Sequence, residues 1–228
     1  MRMTAGAAMI AIAISFDSGI LLCADTKHSV PARLPPESTN IFPKQYGSKL
    51  GYARSIFLIS EPVDWTVAAV QYCEAALDIL QPAEYTIDRM RATIENSLFE
   101  IYQRQPEATL LVALYSPCDQ QYSLFRTSGA ALREIVGYDC EGTAAYLGHY
   151  LIRDRYRASQ SMDALDLTSV FSIAIETLEG VREYHGRCGE STEIFVMYAN
   201  GRASGIQRIR QDTRKQPKLA LLANLSGA

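Results

Sequence analysis

The sequence lacks most of the features that would assign it at a glance. No stretch is long and apolar enough to cross a bilayer as a helix, so a membrane-spanning role is not expected. Cysteine is scarce and odd in number: five, at 23, 73, 118, 140 and 188, with no Cys-x-x-Cys and no Cys/His pair at metal-ligand spacing. That argues against a disulfide-stapled secreted scaffold and against a zinc module, and fits a reduced, cytoplasmic compartment. Neither charge dominates. With 22 Lys and Arg against 25 Asp and Glu, the net charge is −3, which gives no general attraction to nucleic acid or an anionic membrane. There is no linker, repeat or low-complexity tract, so residues 1–228 are read as one domain, with 1–8 as an N-terminal extension and 211–228 as a C-terminal tail. The basic run Arg208, Arg210, Arg214, Lys215, Lys218 reads as a solvated tail rather than a binding patch. Arg2 and the Ala/Ile-rich run after it have a faint signal-peptide look, but the run is short and alternates like a strand. No metal and no cofactor is expected.

What is present begins with the stretch from Met9 to Lys27. Ile10, Ile12 and Ile14 alternate with Ala11 and Ala13, the period-two pattern of a strand. Asp17-Ser18-Gly19 supplies turn chemistry, with Gly19 expected to use its freedom at positive φ. Ile20 to Ala24 forms a second apolar strand ending in Asp25.

Farther on, Val30 to Pro36 carries three prolines and reads as a loop, followed by strand-like segments at 46–53 and 55–60. Pro62 opens a helix whose stripe takes in Trp65, Ala69, Tyr72, Cys73, Ala76, Leu77 and Leu80, ending before Pro82. Thr86 opens a second helix with Ile87, Met90, Ile94, Leu98, Ile101 and Tyr102 inward. Phe99, one position off that stripe, is expected to be exposed. Strands follow at 108–115, 122–127 and 132–136, then helices at 142–156 and 163–184. A strand at 193–199, an Asn200-Gly201 turn and a returning strand at 205–210 close the pattern. Strands, two helices, strands, two helices, strands is an α+β order, and two antiparallel sheets between two helix layers would satisfy it.

That order, with Ala24-Asp25-Thr26-Lys27, resembles the proteasome-type N-terminal-nucleophile hydrolases, most nearly the bacterial proteasome-like proteins called Anbu. Ser38-Thr39, Phe42-Pro43-Lys44, Arg54 to Ser60 and Thr66 to Val70 lie on the Anbu pattern with no gap between Phe42 and Val70. The resemblance implies a four-layer αββα sandwich, assembly into a stacked ring or spiral of copies, and a peptide or protein substrate. In this family the mature chain begins with a threonine whose hydroxyl attacks a peptide carbonyl while its own α-amine, with a pKa of about 7.7–8.0, takes the proton. A lysine held by an aspartate lowers the hydroxyl pKa, and a backbone N–H stabilises the oxyanion.

Carried onto this sequence, the aspartate is Asp25 and the threonine, sixteen residues earlier, is Met9, which has no hydroxyl. The lysine falls on Lys44 in the Anbu-like register; a core-particle register puts Asn40 there, with no lysine at all. The oxyanion segment becomes Ser60-Glu61-Pro62, where proline removes a donor and Glu61 adds negative charge. The late Ser/Asp pair falls near His185 and Cys188, and a loop Cys and His three apart are most simply ordinary residues. Thr4, the nearest earlier hydroxyl, would stand roughly 16 Å too far along an extended strand. The resemblance therefore implies a degenerate site at Met9, Asp25, Lys44, Ser60 and Cys188. Residues 1–8 would be an uncut extension ahead of the first strand. The alternative is an active threonine-type endopeptidase with a different mature start.

Overall fold

A computed structural model describes residues 10–25, 55–59, 63–103, 109–159, 165–184, 191–200 and 203–210. Its strands are β1 (Ala11–Phe16), β2 (Gly19–Asp25), β3 (Ser55–Ile59), β4 (Leu110–Ser116), β5 (Gln121–Ser128), β6 (Ala131–Glu134), β7 (Tyr138–Glu141), β8 (Ser191–Tyr198) and β9 (Ala203–Arg210). Its helices are α1 (Val63–Asp78), α2 (Ile87–Tyr102), α3 (Ala145–Ser159) and α4 (Leu167–Tyr184). One antiparallel sheet has the order β7-β1-β2-β8-β9 and the other β3-β4-β5-β6. No described helix is long and apolar enough to cross a membrane.

Three apolar clusters define the layers. Ile10, Ile12 and Ile14 on β1, with Leu21 and Cys23 on β2, pack against Val170, Phe171, Ala174 and Leu178 of α4. The alternate residues Ala11, Ala13, Ile20, Leu22 and Ala24 face Ile56, Leu58, Leu111 and Ala113 of the second sheet. On that sheet's far side, Phe57, Val112 and Leu114 meet Val70, Cys73, Met90, Ile94 and Leu98 of α1 and α2. Helix, sheet, sheet, helix is the αββα sandwich that the element order called for. The period-two alternation of strands sends neighbouring residues to opposite faces, and here each face has its own apolar partner.

Local signals explain most element ends. The Thr86 side chain accepts from Arg89 N at 3.3 Å and caps α2, and Phe99 is 61% exposed while Leu98 is buried. Tyr72, expected within the buried stripe of α1, is instead 47% exposed. It lies on the flank toward α2, and its hydroxyl donates to Glu100 Oε2 at 3.0 Å. β6 stops at Glu134, two residues short of the expected end, and Val136 is 96% exposed in the connection to β7. The third helix starts at Ala145 rather than Gly142. The expected strand at 46–53 lies outside the described residues.

Gly19 is needed for a reason other than the one its turn suggests. It is not among the described glycines at positive φ, which are Gly129, Gly137 and Gly142. A Cβ on it would stand 2.1 Å from the carbonyl oxygen of Met197, where β8 presses against β2. Gly19→Ala is expected to cost about 2–3 kcal/mol, because backbone rather than a flexible side chain must move. Urea unfolding of the two proteins measures this, and a cost below experimental error would show that β8 can shift.

One carboxylate on α1 is poorly accommodated. Glu74 is half-buried, one helical turn from Asp78, and its Oε1 is buried with no hydrogen-bond partner among the described residues. Burial first, and then the Asp78 charge, push its carboxyl up to about 7. A folded pKa above the unfolded one means that the ionised form costs the fold stability at high pH. The cost is relieved as pH falls through about 7 toward ordinary carboxylate values. Glu74→Gln is therefore expected to stabilise at pH 8 by about 1 kcal/mol, allowing for solvent screening, and to have little effect at pH 4.5. Unfolding curves at the two pH values provide the check.

Candidate functional site at the head of the first hairpin

The sequence-predicted site depends on where Asp25 sits. β1 and β2 pair in the register Ala11↔Ala24 through Phe16↔Gly19. One step further, the Asp25 backbone N–H donates to the Ile10 carbonyl oxygen at 3.0 Å. Asp25 thus ends β2 directly across from Ile10, the buried residue just before β1, with 0% of its surface exposed. It shares the strand face of Cys23, toward the α3–α4 layer. On its other side it stands opposite Thr192 of β8, also buried. Arg182, from the last turn of α4, donates through its Nη2 to Thr192 Oγ1. The Arg182 Nε is buried with no hydrogen-bond partner among the described residues.

Of the other candidates, Met9, Lys44, Ser60 and Cys188 lie outside the described residues, as do Asn40, Glu61, Pro62 and His185. The expected approach of Lys44 to Asp25 lies outside them too. β1 runs between β7 and β2 in the interior of its sheet, as the alternation required.

A second charged group beside the hairpin escaped the sequence reading. β7 pairs with β1 so that Asp139 stands opposite Ala13 and Glu141 opposite Ala11. Both carboxylates therefore share the inter-sheet face and are largely buried. Arg126, on β5 of the other sheet, reaches across. Its Nη1 lies 3.5 Å from Asp139 Oδ2 and its Nε pairs with Glu141 Oε1. His149 of α3 closes the group, with Nε2 3.1 Å from Asp139 Oδ1. Burial raises the Glu141 carboxyl, and the Arg126 charge opposes that shift. One sequence signal could have found this element. Tyr138-Asp139-Cys140-Glu141 alternates in period two between Gly137 and Gly142, both at positive φ, so it is a four-residue strand bracketed by turns.

The chemistry open to the described part of the site is narrow. Cys23 and Cys140 flank Ile12 on the face toward the helices. Burial pushes the Cys23 thiol up to about 12, only partly offset by the Arg182 charge, and raises Cys140 well above the usual thiol range. Neither is a thiolate at neutral pH, so neither is a nucleophile. The Thr192 hydroxyl is engaged by Arg182. No cluster of three or more His, Cys, Asp or Glu among the described residues could hold a metal ion.

No protein-family model matches the chain, and no curated protein matches it in sequence. Fold comparison finds a likeness to a mutant of Anbu from Hyphomicrobium sp. strain MC1. The TM-score is 0.67 at 10% identity, over 96% of this chain and 93% of that one. At that identity the likeness is one of fold: the chain has the αββα sandwich of the Anbu-type, proteasome-like proteins.

The inter-sheet ion group yields a direct test. Arg126→Met leaves Asp139 and Glu141 facing each other with His149 as the one ion-pair partner among the described residues, and is expected to cost about 2 kcal/mol at pH 8. The raised Glu141 carboxyl takes up a proton as pH falls, so the cost shrinks toward pH 5. Adding Asp139→Asn and Glu141→Gln should recover most of the loss. Urea unfolding at both pH values measures each step, and an unchanged stability in the single variant would show that Arg126 does not hold the sheets.

Proposed function

We propose that this chain is a cytoplasmic, self-associating subunit of proteasome-like build, in a stacked ring or spiral, without threonine-type peptidase activity of its own. In this reading it is a pseudoenzyme whose degenerate positions are Met9, Asp25, Lys44, Ser60 and Cys188. The observation that carries it is the register of the first hairpin. Asp25 is hydrogen-bonded to Ile10, so the residue next to Ile10 in the chain is where the resemblance places the nucleophile. That residue is Met9. A thioether has no proton to surrender and cannot form the acyl ester on which the mechanism turns. The two thiols of the hairpin region do not substitute for it, because burial keeps both protonated.

Self-association is supported by the outer face of the α1–α2 pair. Tyr72, Ile79 and Phe99 are all exposed there, more apolar surface than an isolated helix layer needs.

Two measurements on the purified protein decide between this reading and an active endopeptidase. Fluorogenic peptides are expected to show no turnover above background, and sedimentation at micromolar concentration is expected to show species heavier than the 25.3 kDa monomer. Turnover abolished by a covalent inhibitor directed at N-terminal threonine would establish a threonine-type endopeptidase instead. A lone 25.3 kDa species would overturn the assembly.

A further inference from the structure

We propose that the C-terminal tail, residues 211–228, docks on the outer face of the α1–α2 layer of its own chain. The face and the tail are complementary in two respects.

The first is charge. Residues 63–103 carry seven carboxylates against two guanidiniums, Arg89 and Arg91. Both guanidiniums are engaged, by Glu84 and Glu95. Asp78, Asp88 and Glu100 are exposed with no cation beside them among the described residues. The tail holds Arg214, Lys215 and Lys218 against the single carboxylate Asp212.

The second is apolar surface. Tyr72, Ile79 and Phe99 are exposed on the same layer, Ile79 to 78%. The Tyr72 hydroxyl bond to Glu100 ties the facing flanks of the two helices together, so an aromatic and an acidic group adjoin there. In the tail, Leu219, Leu221, Leu222 and Leu225 follow the cations directly. A segment with cations at one end and leucines at the other matches a surface that offers both carboxylates and apolar side chains.

Reach and tethering favour the chain's own tail. β9 ends at Arg210, and the eighteen residues beyond it can extend at most roughly 60 Å, more than the span of a domain of this size. A segment tethered this way meets its own face at an effective concentration of about a millimolar, which outweighs a neighbour's tail at micromolar protein. The docked tail would cover the surface through which the Proposed function has copies associate, so tail and neighbour compete for it. That consequence, unlike the docking itself, rests on the assembly reading.

Zero-length carbodiimide crosslinking of the full-length protein, mapped by mass spectrometry, tests the docking. Lys215 and Lys218 are expected to crosslink to Asp78, Asp88 or Glu100 at micromolar concentration. In a mixture of isotope-labelled and unlabelled protein, those links are expected within one chain. Asp78→Lys with Glu100→Lys, folded by circular dichroism, should lower the yield at the retained Asp88 about fivefold, and 0.5 M salt should lower it as well. Links from the tail to other regions only, links only between chains, or a yield unmoved by the charge reversal would each overturn the proposal. A protein that sediments only as a monomer but keeps these links would sink the assembly reading and leave this one standing.

Discussion

Burial of the β1–β2 hairpin on both faces is the constraint on which the rest depends. Apart from the turn, every residue of the two strands but Ser15 is buried. An antiparallel pair normally leaves one face to water; this one cannot, because Ile12, Ile14 and Cys23 project one way and Ala13, Ile20 and Leu22 the other. It must be covered twice, by α3 and α4 on one side and by the second sheet on the other. The small residues decide which cover goes where. Ala11, Ala13 and Ala24 let the second sheet approach closely, while the larger Ile10, Ile12 and Ile14 fill the gap to the helices. Gly148 of α3 fits the same scheme, since a Cβ there would stand 2.8 Å from Ile10 Cδ1 and 3.0 Å from Cys140 Sγ. Glycine lets the helix settle onto the strands beside Asp25's end of the hairpin.

The two charged groups at the hairpin answer that burial in different ways. Asp25 is wholly buried at the end of β2, where an ionised carboxylate persists only if its surroundings satisfy it. Asp139 and Glu141 are paired from across the sandwich. Arg126 spans the space between the sheets, and its partly exposed guanidinium keeps contact with water while its inner edge meets two carboxylates. Such a bridge adds little net stability over apolar packing, but it fixes how the sheets sit at the β7 edge, since removing any member leaves a charge behind.

Much of this was legible in the sequence, because it rests on periodicity and capping. The Ile/Ala alternation gave both faces of β1, Thr86 the start of α2, and the offset of Phe99 from Leu98 its exposure. What was not legible depended on approach in space. β7 has four residues, two of them acidic, and reads as loop until β1 is placed beside it. Nothing in the sequence singles out Arg126, because its partners lie on another sheet. Gly19 was recognised as necessary, but for its turn rather than for the Met197 carbonyl that excludes a side chain. Asp25 ends the second strand where the apolar run placed it, because a two-residue turn fixes the register and the register fixes what faces Ile10.

The same register separates what builds the described fold from the position ahead of it. The described core begins at Ile10, and the described contacts that hold the hairpin run from there inward: the Asp25 N–H bond to Ile10, the Ile12 contacts with both flanking cysteines, the β8 ladder down to Gly19. Asp25 is part of that framework, because it stands within the buried ladder between Ile10 and Thr192. Residue 9 precedes it. A change at position 25 alters the described sandwich itself. An aspartate at position 25 is therefore accounted for by the packing, and its presence is not by itself a sign of a reactive site.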